Sequence, residues 1–209
     1  MDQILIHPTY FPSIVQMAAV AQANAVVFEV HDNYQKQTYR NRAYIAHSNG
    51  RLLLNVPIKH SKDGTRQQTK DVVTETAFPW QDQHWKSLQT AYRTSPYFEF
   101  YEDELAALFD DRATQLLAHN IRIFEVLSEL IELNVPTTMS MDYETDPKIT
   151  DLRQLAVAKA KKKHSITPYI QVFQEAHGFL HNLSVLDLLF NEGPNTLNYL
   201  ETLKLNLSV

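Results

Sequence analysis

The chain has 209 residues, 44% hydrophobic and 11% aromatic, enough to bury a sizeable core within a single domain spanning 1–209. With only four glycines and neither GxGxxG nor GxxxxGK[ST], both glycine-rich phosphate loops are excluded; zero cysteines exclude disulfides, thiolate metal sites and a Cys nucleophile. The net charge of −5 is unevenly spread: residues 31–70 carry eight Lys/Arg against Asp32 and Asp63, whereas 97–151 carry thirteen Asp/Glu against Arg112, Arg122 and Lys148. An anionic small molecule is therefore the expected ligand of the first segment.

The opening "ILIH" (4–7) reads as a short buried strand. Pro12-Ser13 then starts a helix, with Ile14, Met17, Ala18 and Ala21 at helical spacing and Asn24 as its stop. "AVVFEVH" (25–31) is continuous and β-branched, as a strand buried on both faces is. Strand, helix and strand make a right-handed βαβ unit with two parallel neighbours. "RAYIAHSNGRLLLNVPI" reads as a hairpin turning at Asn49-Gly50. Residues 59–70 are polar and expected as a loop, and "DVVTETA" (71–77) as a returning strand.

From there the pattern turns helical, at 80–94, 100–110 and 113–133, with "TTMSM" (137–141) as one late strand. "ITDLRQLAVAKAKKKHS" begins as a helix and ends in a basic run, and short helices around Gly178, Asn182 and Gly193-Pro194 close the sequence. The fold class is thus α/β: a small mixed sheet (parallel βαβ start plus hairpin) over 1–78, then a mainly helical region over 79–209. "MDQILIHP" lacks a signal-peptide core and no apolar run approaches the ~20 residues a bilayer span needs, so no membrane partner and a cytoplasmic location are expected.

Two strands ending on His7 and His31 would set two imidazoles side by side at the sheet's carboxyl edge, where open α/β sheets bind ligands. The helix opening at Pro12-Ser13 would aim free N–H groups into the same crevice, beside Tyr10. "HDNYQKQTYRNRAYI" (31–45), read as extended, aligns Tyr34, Lys36, Thr38, Arg40 and Arg42 on one face, with Tyr39, Asn41 and Ala43 on the other. Two guanidinium forks suit phosphate or carboxylate, and a tyrosine can stack on a base or sugar. His84 lies off the Trp85/Leu88/Tyr92 stripe of its helix and joins His7 and His31 as a candidate catalytic residue. Tyr10, Tyr34, Lys36, Arg40, Asn41, Arg42 and Lys59 are the candidate substrate contacts. His177 and His181 are split by Gly178 and make a poor zinc pair, so no metal site is expected, and no cofactor is named by the sequence. The "KAKKKH" run (159–164) is a solvated helix end, and nucleic acid is not an expected partner, an aminoacyl-tRNA donor excepted.

The first strand and its turn are superficially similar to the strand–HxGH–helix site of nucleotidyltransferases, but the stretch is His-Pro-Thr-Tyr with no second histidine. A closer likeness rests on three blocks: "HPTYFPSIVQM"; "YRNRAYI…GRLLLNVPI" with "HWKSLQTAYRTSPYF"; and "YIQVFQEAHGFLHNLSVLDLLFNEGP". Together they resemble the WbqC-like family, whose members usually carry Gln where this chain has His7. Carried over residue by residue, the family's motif positions are Tyr10, Phe11, Pro12, Arg40, Asn41, Arg42, His84, Tyr92, Asn182, Asp187, Asn191 and Gly193. The resemblance implies a role in assembling O-antigen or other surface polysaccharides, with transfer of glycine or another aminoacyl/acyl group to a nucleotide-linked amino sugar. Arg40 and Arg42 would hold the diphosphate, and His31 or His84 would deprotonate the sugar amine. Two alternatives stand beside it: a nucleotide-dependent nucleotidyltransferase or ligase with ATP near His7 and Mg²⁺ on a carboxylate such as Asp32, and a non-catalytic interaction protein of a glycan assembly system using the acidic 97–151 helices. Within "NLSVLDLLFNEGP", Asn182 is expected to cap a helix, Leu186 and Phe190 to pack, and Gly193-Pro194 to end it.

Overall fold

The computed structural model describes residues 1–59, 65–110, 114–158 and 164–207. Strand β1 (Gln3–Ile6) and strand β2 (Ala25–Phe28) pair in parallel around helix α1 (Ile14–Ala21), the expected βαβ start. Two short late strands complete the sheet, β5 (Thr137–Met139) beside β2 and β6 (Thr150–Asp151) beside β1, giving an all-parallel order β5-β2-β1-β6. Ile4, Ile6, Val26 and Phe28 share one face of it and are almost fully buried. The hairpin, β3 (Arg42–His47) with β4 (Gly50–Asn55), forms a two-stranded sheet of its own. Its tight turn is Ser48-Asn49, and Gly50 follows at φ +101°, a conformation open to glycine.

The helical region comprises α2 (Trp80–Tyr92), α3 (Phe98–Asp110), α4 (Leu116–Leu130), α5 (Gln174–His177), α6 (Val185–Glu192) and α7 (Thr196–Thr202). It shares one hydrophobic cluster with the sheet, in which Phe28 meets Phe124 of α4 edge-on at 5.0 Å. Seven of the eight residues of α1 are buried, since it packs against α6 and α7 as well as the sheet.

The start of α1 differs from expectation. Ser13 caps it, its Oγ accepting from Gln16 N at 3.3 Å; Ile14 N donates to Leu183 O and Val15 N to Asn182 Oδ1, both at 2.9 Å. Every N–H that the sequence reading offered to a ligand is therefore taken by protein. Asn182 caps α1 rather than its own helix; α6 is capped by Ser184, whose Oγ accepts from Leu186 N. Leu186 and Phe190 pack as expected, and Gly193 ends α6 at φ +51°, where a side-chain Cβ would fall 2.5 Å from the Tyr97 ring.

Three further expectations are corrected. β2 stops at Phe28, because the Glu29 carboxylate accepts the His31 amide at 2.8 Å and bends the chain off the ladder. Residues 71–77 make only single bridges, Val73 to Gln115 and Thr74 to Ile58, after a 3₁₀ turn at Thr69–Asp71, so no regular strand forms. Residues 153–156 form a 3₁₀ turn rather than a helix start, and most of the basic run lies outside the described residues.

Candidate functional site

The chain leaves β1 through "HPTYFP", and the corner is sharp. Phe11 sits at φ +40°, a strained conformation for a bulky side chain, held by burying the ring against Phe109 at 5.7 Å. That corner leaves His7 at the carboxyl end of β1. Ile6 pairs with Phe28, so the neighbour of His7 across the ladder is Glu29, not His31. His31 lies two residues further on, and both imidazoles line one cavity of about 890 Å³ with Tyr34, Lys36 and Arg40.

Residues 31–41 form an irregular loop rather than an extended strand, turning at Gln37 (φ +62°). Its near end is strapped to the 67–69 segment: Tyr34 N donates to Gln67 O and Thr69 N to Asp32 O, each at 2.9 Å. This strap carries Arg66 and Gln68 into the cavity wall. From the far side β6 and the turn after it contribute Asp151, Arg153 and Gln154, with Tyr143 above them.

The charges fall into two kinds. Arg40, 2% exposed, is locked onto Asp32 (Nη2 to Oδ2, 2.6 Å), and its carbonyl accepts from Asn120 Nδ2 at 2.7 Å. Arg153 is gripped by Asp151 (Nη2 to Oδ2, 2.6 Å; Nε to Oδ1, 2.9 Å), approaches Glu29 at 3.5 Å and lies 5.0 Å from the Tyr143 ring centre. These arginine contacts hold the Asp151 carboxyl below its usual range. Lys36 and Arg66, by contrast, are exposed and have no carboxylate partner among the described residues.

His7 is only 6% exposed, with Nε2 3.9 Å from Asp32 Oδ2. Burial, helped by the Arg40 charge, drives its imidazole down to about 3, against the pull of Asp32. Burial likewise raises the Tyr34 phenol to about 12. Asp32, the carboxylate needed by a Mg²⁺-dependent reaction, is already compensated by Arg40, a donor set poorly suited to a divalent cation.

Tyr10 and His84 are elsewhere. They bond to each other (Oη to Nδ1, 2.8 Å) in a closed knot with Trp80 and His119, and burial holds His84 and His119 neutral, each at about 4. The knot is tied to the loop that carries Arg40 through backbone, Tyr10 N donating to Tyr39 O at 2.9 Å. Asn41 is a buried brace, its Nδ2 donating to Val56 O at 3.0 Å. Arg42 borders a neighbouring hollow of about 310 Å³ whose wall it shares with Tyr34 and Lys36, and Lys59 lines neither hollow. Asp187 is a fully buried acceptor for the Tyr92 hydroxyl (2.7 Å), the Tyr169 hydroxyl and Gln171 Nε2 (2.9 Å), with burial raising its carboxyl.

The sequence reading missed Glu29, Asp151, Arg153 and Tyr143. A charged residue inside the otherwise apolar "AVVFEVH" was the available signal for Glu29. β6, two residues long, leaves no periodicity from which Asp151 and Arg153 could be found.

Among the described residues, no helix is long and apolar enough to cross a membrane. No solved structure matches the chain. A Mycobacterium tuberculosis (strain ATCC 25618 / H37Rv) protein described as uncharacterized protein Rv1507c is 26% identical over 202 residues, covering 83% of this chain and 87% of the relative. The family model described as WbqC-like protein family matches residues 7–172, which takes in the first two sequence blocks and only the start of the third. With most of its length matched, the chain belongs to the WbqC-like protein family, a family linked to polysaccharide biosynthesis.

Proposed function

We propose that the cavity at the carboxyl edge of the sheet binds a nucleotide-linked amino sugar and that an acyl or aminoacyl group, glycine for example, is transferred to its amine. The observation that carries this reading is the pairing of two cations without a carboxylate partner among the described residues, Lys36 and Arg66, with Tyr34 and His31 around one cavity large enough for such a ligand. Lys36 and Arg66 grip the diphosphate, a task better suited to them than to Arg40, whose fork is spent on Asp32. Tyr34 offers its ring face to the base or sugar.

His31 is the general base. His7, at about 3, is too weak a base near neutral pH and serves as a neutral hydrogen-bonding wall. The ring of His31 has no protein partner among the described residues. The sugar's amine nitrogen attacks the acyl carbonyl carbon; the C–N bond forms as the bond from that carbon to its leaving atom breaks. His31 takes the amine proton and the leaving group departs with the bonding pair.

A thermal-shift screen with UDP-sugars, dTDP-sugars and ATP·Mg²⁺ tests the reading. Sugar nucleotides are expected to stabilise the protein, by about 2.7 kcal/mol at a hundredfold excess over Kd. Stabilisation by ATP·Mg²⁺ alone, or by none of these, would sink it.

A further inference from the structure

A second hollow, of about 520 Å³, opens on the other side of Gln154 and Val157, which line both cavities. Its wall includes Tyr39, Arg51, Leu155, Phe179 and His181, and among the described residues no Asp or Glu lines it. Arg51 is its cation, anchored by Nη2 donating to the His181 carbonyl at 2.6 Å and without a carboxylate partner among the described residues. His181 Nδ1 accepts from Ile166 N at 3.2 Å, so the ring proton sits on Nε2 and the imidazole is a donor there. Phe179 is fixed edge-on between His181 (4.9 Å) and Tyr169 (5.3 Å), a rigid apolar wall continued by Leu155. One guanidinium, one imidazole N–H and an aromatic wall, with no opposing carboxylate, make a receptor for an oxyanion carried on an apolar body.

A transfer reaction needs its two reactants within reach, and these cavities meet at a shared two-residue wall. We infer that the second cavity holds the acyl donor, an activated acyl compound whose leaving group is a phosphate or carboxylate on an apolar body, an assignment that rests on the main cavity being the acceptor site. As the amine's C–N bond forms, the donor's acyl bond to its leaving atom breaks. The leaving atom keeps the electron pair, stabilised by the Arg51 charge, and the amine proton goes to His31.

Fluorescence titration of the full chain with dansylglycine, a carboxylate on an aromatic body, tests this. Saturable binding is expected, at least tenfold weaker in Arg51→Glu and unchanged in Lys36→Ala. Dansylcadaverine, the same fluorophore on a cation, should bind Arg51→Glu in preference to the parent protein, a reversal that mere loss of the Arg51 anchor on the His181 carbonyl would not give. UDP should leave the signal in place. The stronger competitor of phenyl phosphate and phenylacetate then assigns the donor's oxyanion. Absence of saturable binding, or a signal lost in Lys36→Ala and displaced by UDP, overturns the second site. If sugar nucleotides fail to bind while the Arg51-dependent signal persists, the acceptor reading falls and the oxyanion site stands without its donor role.

Discussion

Two clusters rich in histidine and tyrosine meet through residues 39–41, and they are built to opposite ends. In one, Tyr10, Trp80, His84 and His119 are almost wholly out of water and pack ring against ring, with Tyr10 bonded to His84. In the other, His31, Tyr34, Lys36 and Arg66 line an open cavity, and their side chains have no hydrogen-bond or ion-pair partner among the described residues. The residue types are nearly the same. Access to solvent separates the cluster that lines the cavity from the cluster that holds the fold.

The sharpest way to break that contrast is a reciprocal pair of variants. His31→Ala should lower amide formation with the sugar nucleotide found by thermal shift by roughly 10²–10⁴-fold, leaving the unfolding midpoint in place. His84→Ala should do the reverse, costing about 2 kcal/mol in urea unfolding with sugar-nucleotide affinity retained. Equal effects on both readouts in both proteins would erase the distinction.

Asp32 tests the border between the clusters. Asp32→Ala strands the Arg40 guanidinium, 2% exposed, without its partner, and should cost about 3–5 kcal/mol of stability. A loss confined to ligand binding would mean that Arg40 belongs with the free cations.

The closed knot also sets a pH dependence. In the unfolded chain its histidines titrate near 6.5, whereas burial holds His84 and His119 at about 4 in the folded protein. The unfolded state therefore binds protons first as pH falls, and stability present above pH 6.5 is lost on the way down to about 4. By pH 5 each of the two should have cost roughly 1–2 kcal/mol, measured as a falling urea midpoint. A His84→Gln, His119→Gln double variant should flatten that slope.

The smallest effect is the most specific. Lys36→Ala and Arg66→Ala should each weaken sugar-nucleotide binding about tenfold at low salt and less at high salt, with no change in unfolding, as exposed cations acting at a distance do. Calorimetric titration at two ionic strengths reads it.

The fold was legible where burial and periodicity agree. "ILIH", "AVVFEVH" and the helix between them announce the βαβ unit, and the helices at 80–94 and 100–110 fall within two residues of α2 and α3. It was less legible where a side chain redirects the backbone, as Glu29 does in taking the amide of His31, or where an element is shorter than one period, as β6 is. For the candidate site, the basic 31–70 segment supplies part of one cavity wall, but the alternation over 31–45 does not form, because the loop turns at Gln37 and sends Arg42 into the hairpin. Tyr10 and His84 carry motif positions and are core. A motif marks whatever a family needs kept, packing as readily as chemistry.

The capping of α1 by residues 182 and 183 has a consequence for the making of the protein. A ribosome releases α1 some 160 residues before the groups that close its first turn. Until that tail emerges, an apolar helix meant for the very centre waits with bare amides, so the native arrangement is a late event of synthesis rather than a progressive one. Nascent chains stalled ahead of Asn182 are the species in which a chaperone would find that helix still uncovered.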